Sequence, residues 1–209
     1  CAQYFGKGDK QTVEKILGMA EFLSIIISLV FFAISFTFPD VIMKIFTNST
    51  ETITVGTRYL RVISFSFMFM GFSQVFMSAL RSIGKIALPS ITYVISLCVN
   101  VLCNATFIFG LFGLPKLGVT GVALGTVIAR IVEVLICLIY SFVSSDIGFR
   151  VRYLFNKNAV LLRDFLKIAA PSVINDVAWS LASSTFTAIL GHIGDDMIAA
   201  NAVAIMVVN

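Results

Sequence analysis

Charged side chains are scarce in this chain. Asp, Glu, Lys and Arg together make up 12% of its 209 residues, where soluble domains carry about 25%. With 58% hydrophobic residues and a mean hydropathy of +0.99, that scarcity excludes a water-soluble domain and points to an integral membrane protein. The single histidine, His192, excludes a His-Glu-x-x-His metal helix and reads as an interfacial residue. Cys1, Cys98, Cys103 and Cys137 lack metal-ligand spacing. The last three lie in apolar runs, where cysteine serves as a small hydrophobe. Neither a phosphate-cradling glycine loop nor a nucleophile elbow occurs, so no ATPase or hydrolase chemistry is legible. The chain opens at Cys1 without an initiator Met and stops in an apolar run that begins near Met197, and we expect an internal fragment.

What is there is a series of apolar runs about as long as a bilayer is thick, which takes roughly 20 helical residues. Five or six such spans fit the length. They are expected over about Ile16–Phe38, Leu60–Leu80, Ile86–Leu111, Val119–Val143 and Phe165–Leu190, with a last one from Met197. Pro39-Asp40 ends the first, and Val41 to Thr57 reads as a connector holding a short apolar piece. Glu21, near the start of the first span, is expected to reach the interface and be solvated. Arg130 and Glu133, three apart, predict an ion pair within or between helices.

The segment 165–190 organises the rest. Its one central carboxylate is Asp176, with Asn175 and Trp179 beside it, and Ser180, Ser183, Ser184 and Thr187 following at i+4, i+7, i+8 and i+11. That spacing is one helical face. At 1.5 Å per residue Asp176 sits roughly 16 Å along the span, near mid-bilayer, where a carboxylate is costly unless it meets water, a cation or a partner. Arg130, the one deeply placed base, already has Glu133. Asp176 is therefore expected to line a functional cavity, where it can exchange a proton or Na⁺ for a cationic substrate. Asn100 and Asn104, four apart on one face, are either cavity-lining or interhelical hydrogen-bond glue. Gln74 and Thr126 are weaker cavity candidates, and Trp179 offers either packing or a flat surface for a cationic ligand.

Charge orients the chain. Alternating sides places Lys7, Lys10, Lys15, Arg81, Lys85, Arg150, Arg152, Lys157, Arg163 and Lys167 on one side, against Lys44, Arg58 and Lys116 on the other. Positive residues mark the cytoplasmic face, so the polar linker 144–164 is expected there. The net charge of +4 reflects this bias rather than a nucleic-acid partner.

Several stretches resemble the multidrug and toxic compound extrusion (MATE) family. They are Ala2-Gln3-Tyr4-Phe5-Gly6-Lys7-Gly8-Asp9, Leu80-Arg81-Ser82-Ile83-Gly84 with Pro89, Asn100 through Asn104 leading to Ile108-Phe109-Gly110, Leu117 to Ala123, Ala170-Pro171, and Gly191-His192-Ile193-Gly194 through Ala200. The resemblance implies an all-α, polytopic, two-lobed transmembrane bundle of twelve helices in a chain about twice this long. Residues 1–143 would be the remainder of the amino-terminal lobe, from the end of helix two, 144–164 the cytoplasmic inter-lobe linker, and 165–209 the start of the second lobe, into helix eight. It implies a plasma-membrane, bacterial, monomeric antiporter that exports cationic or amphipathic small molecules against Na⁺ or H⁺, with no other cofactor and no enzymatic activity. Asn100 and Asn104 match the pair that holds the coupling ion in many members, although the second position is often an acid there. Asn175-Asp176 with Trp179 resembles the Asn-acid pair of one bacterial branch. The cation-coupling set is thus Asp176, Asn175, Asn104 and Asn100, and the substrate-cavity set is Trp179, Ser180, Gln74 and Thr126. A lipid-linked sugar flippase of related fold is the rival within transport; such proteins tend to have a strongly basic cavity, and the spans here offer mainly Arg130. A membrane-embedded enzyme or scaffold is the rival from another class. An enzyme needs a second acid, His or Ser facing Asp176.

Overall fold

A computed structural model describes residues 1–110, 116–144, 153, 159–194, 197 and 201. The basic linker residues Arg150, Arg152 and Lys157, the turn at Pro115, Asp195 and Asp196, and most of the last apolar run lie outside the described residues.

Among the described residues seven helices follow one another: α1 (Ala2–Gly6), α2 (Lys10–Thr37), α3 (Pro39–Phe46), α4 (Thr50–Ser82), α5 (Ala87–Phe109), α6 (Val119–Val143) and α7 (Ala159–Ile193). Four of them, α2, α4, α5 and α6, are long and apolar enough to cross a membrane. α7 has the length but falls short in apolarity, because Asn175, Asp176 and the hydroxyl residues after them interrupt its apolar face.

Local chemistry sets the ends. Asp9 caps α2, accepting from the Thr12 amide at 3.0 Å and the Thr12 hydroxyl at 2.6 Å, which satisfies a donor the first turn cannot. These two bonds, the hydroxyl's first, hold the Asp9 carboxyl below its ordinary range. Pro39 stands at the start of α3, where its missing N–H costs nothing. The connector expected over 41–57 is therefore a short helix. It is followed by an early start of α4, where the Ser49 hydroxyl accepts from Thr52 N at 3.4 Å. Gly110 closes α5 in the left-handed region at φ 69°, a conformation open to glycine without strain.

The spanning helices pack in the order α2, α4, α6, α5, while α7 lies against α3 and α2. The core gathers Val13 and Leu17 of α2, Phe76, Met77, Ala79 and Leu80 of α4, and Cys137 of α6. Phe32 of α2 meets Phe65 of α4 with ring centroids 5.1 Å apart. Small residues let the backbones approach. Gly121, Ala123, Gly125 and Ala129 form the buried face of α6. α4 brings hydroxyls inward instead, and satisfies some of them itself. Ser64 and Ser66 donate to the carbonyls of Arg61 and Ile63, three residues back.

Candidate functional site

α5 and α6 bring three of the predicted residues together. Asn104 Nδ2 donates to Asn100 Oδ1 at 3.0 Å, and Asn100 Nδ2 donates to Thr126 Oγ1 at 3.2 Å. Thr126 Oγ1 in turn donates to the Val122 carbonyl at 3.1 Å. Every donation runs away from Asn104, so the chain brings no donor to that residue's own amide oxygen. Asn104 Oδ1 is buried and without a partner among the described residues. Gly125 makes the arrangement possible, since a Cβ there would collide with that same oxygen.

Asn100 and Thr126 open onto a cavity of about 230 Å³ shared with Tyr93, Ser96, Arg130 and Glu133. The expected ion pair is within one helix: Arg130 Nη1 lies 2.8 Å from both Glu133 oxygens. It is also tied across helices, because Ser73 Oγ of α4 donates to Glu133 Oε2 at 3.1 Å. Glu133 is 2% exposed and the Arg130 side chain 26%, so the acid is held inside and the base leans toward the cavity. Gln74 lines a neighbouring cavity of about 490 Å³ that also touches Glu133 and Arg81.

The other half of the predicted set stands apart. Asn175, Asp176, Trp179 and Ser180 all lie on exposed positions of α7, and Trp179 is 78% exposed. α7 packs on α3 and α2, so the structure does not join the Asp176 group to the Asn100–Asn104–Thr126 cluster. His192 Nδ1 lies 2.8 Å from the Ala188 carbonyl on its own helix.

Glu21 departs from expectation. Rather than reaching the interface it is 0% exposed, and both its carboxyl oxygens lack a partner among the described residues. The reason is its face: Glu21 continues the stripe of Val13 and Leu17, which α2 buries against the rest of the core. Its spacing to Ser24, Ser28 and Ser35 carried the signal, as all four share one side of the helix.

Chemically, the amide and hydroxyl oxygens of Asn100, Asn104 and Thr126 are hard neutral donors suited to a small hard cation. With no carboxylate among them, they cannot exchange a proton.

A family model, MatE, matches residues 1–106, half of the chain. The chain belongs to the MatE family. Among curated relatives, it is 27% identical over 207 residues to the probable multidrug resistance protein NorM of Thermotoga maritima, covering 99% of this chain and 44% of that protein. It is 25% identical over 201 residues to the probable multidrug resistance protein YoeA of Bacillus subtilis, covering 95% and 43%. It is also similar to the multidrug export protein MepA of Staphylococcus aureus, at 25% identity covering 98% and 47%. The MatE chain described here thus spans about half the length of the curated relatives it matches. Solved structures share the fold. A transporter of the MOP superfamily from Pyrococcus furiosus, described as having a binding pocket of reverse polarity, superposes with a TM-score of 0.81 at 20% identity over 99% of this chain and 45% of that one. An inward-facing multidrug resistance MATE transporter gives 0.75 at 21% identity over 88% and 41%. The all-α, multi-pass membrane architecture of this MatE chain follows from the helices and these neighbours together.

Proposed function

We propose that this MatE chain belongs to a secondary active exporter of cationic or amphipathic small molecules, driven by inward Na⁺ or H⁺, and that it does no enzymatic chemistry. Asn100, Asn104 and Thr126 hold the coupling cation in this reading, and Asp176 with Asn175 forms a second coupling group. Trp179, Ser180 and Gln74 face the substrate. The observation that carries it is the buried Asn104 Oδ1, without a partner among the described residues at the head of a one-directional hydrogen-bond chain, an acceptor that can bind a cation without breaking any of these bonds. The multidrug names of the curated relatives support the substrate class. The asymmetry of basic residues supports a plasma-membrane protein with residues 144–164 in the cytoplasm, between an amino-terminal lobe ending at 143 and a second lobe starting at 165. We also propose a bacterial, monomeric protein that needs no cofactor beyond the coupling ion.

The test is export of a lipophilic cationic dye by the intact protein in liposomes, with Na⁺ and pH gradients imposed separately. N104A and D176N are each expected to lower gradient-driven export by about tenfold or more, the scale for losing one group at a cation site. Export by both variants that still follows the gradient at the wild-type rate rejects the assignment.

A further inference from the structure

The α2–α4 interface contains a polar seam that the proposed ion site does not use. Glu21, Ser24, Ser28 and Ser35 stand at i, i+3, i+7 and i+14 on α2, one stripe along the helix. Ser24 Oγ donates to the Gly71 carbonyl of α4 at 3.0 Å. Gly71 is required there, because a Cβ would run into Ser28 Oγ. A cavity of about 380 Å³ opens beside these residues, lined by Ser24, Ser28, Phe31, Phe67, Gly71 and Gln74 among others. Glu21 sits one helical turn from Ser24, closed from solvent, with neither oxygen hydrogen-bonded among the described residues.

Among the described residues, no positive charge is placed to neutralise it. α4 has no titratable residue between Arg61 and Arg81. On α6 the nearby titratable groups are Glu133 and Cys137, and Arg130 is taken by Glu133. Lys44 and Asp40 of α3, and Arg163, Asp164, Lys167, Asp176 and His192 of α7, are exposed, as is Tyr4 of α1. An ionised carboxylate with no donor and no cation among the described residues is heavily penalised there, and a neutral acid is not.

We propose that Glu21 is a proton-binding site, a neutral carboxylic acid while α2 and α4 close over it. When they part, its O–H bond breaks, the proton passes to water in the seam cavity by way of the Ser24 hydroxyl, and a carboxylate remains until α2 and α4 close again. The coupling role rests on the export reading above, whereas the protonation does not.

Infrared spectroscopy of the intact protein in detergent at neutral pH reads the protonation directly. Wild type is expected to show a protonated-carboxyl carbonyl band that E21Q deletes and E21D shifts. E21D keeps the measurement open should E21Q fail to fold. A spectrum with no such band, or one unchanged in the variants, overturns the proposal. Proton release on adding a cationic dye in weakly buffered solution reads the coupling, and E21Q is expected to release about one proton fewer per protein than wild type. Equal release by a folded E21Q overturns the coupling role. Failure of wild type to bind any dye counts against the export reading and leaves the infrared result standing.

Discussion

Ser73 of α4 donates a hydrogen bond to Glu133 of α6 at 3.1 Å, and the same carboxylate grips Arg130 one turn before it. A buried acid is thus satisfied from two helices at once, and the pair fixes the level at which α4 meets α6. Removing one partner of a buried ion pair costs about 3–5 kcal/mol, while replacing both by apolar groups is often neutral. R130M is therefore expected to destabilise the protein by about that amount, and R130M with E133M to recover most of it. Thermal unfolding of the purified intact protein measures both. Equal stability of R130M and wild type contradicts the assignment.

At the cation cluster, Asn104→Asp replaces the unpartnered amide oxygen with a carboxylate. A charged oxygen in the same place binds a cation more tightly, so Na⁺ protection against thermal unfolding is expected to increase in N104D and to vanish in N104A. Indistinguishable Na⁺ responses in the three proteins count against a cation between Asn100, Asn104 and Thr126.

Gly125→Val tests the same cluster from the other helix. A side chain there meets Asn104 Oδ1 and Cys103 Cβ, which pushes α5 off α6. We expect about 1–3 kcal/mol of destabilisation from overpacking and loss of the Na⁺ response. Gly125→Ala is expected to be milder when combined with Asn104→Ala than alone, which a double-mutant melting series resolves.

The α2 cap responds to acid. Asp9 has a folded-state pKa held down by Thr12, so its contribution is present above its unfolded pKa and is lost as the pH falls through the folded one. Protection of the first-turn amides of α2, relative to their intrinsic exchange at the same pH, is expected to fall in acid, and Asp9→Ala is expected to be weakly protected at every pH. An acid-insensitive first turn in the wild type excludes the cap.

Much of the bundle is legible in the sequence because bilayer thickness dictates run length. Val119–Val143 is the same span in both readings, and the turns at Pro39 and Gly84 fall where expected. The start of α4 was not legible, because Thr50 to Arg58 is too polar to read as part of a span although Ser49 caps it. Asn100 and Asn104 were legible as neighbours, since a spacing of four stacks them on one face. Their link to Thr126 depends on which face of α6 turns toward α5, and helix rotation leaves no local signal. Glu21 was misplaced for a related reason. Its depth was read from its distance to the start of the span, whereas its burial is decided by which neighbour covers that side of α2. Asp176 was legible as an anomaly on a polar stripe, but a stripe does not say which helix it faces, and α7 turns it outward.

The hydroxyls of α4 have a further consequence. Because Ser64 and Ser66 bond back onto their own helix, they line its contact faces with small groups that ask nothing of the neighbours. Moving α4 lengthwise breaks cross-helix bonds, Ser24 to Gly71, Ser73 to Glu133 and Thr57 to Asp40, and leaves Ser64 and Ser66 bonded as before. A rod with few latches and a self-sufficient surface is suited to sliding.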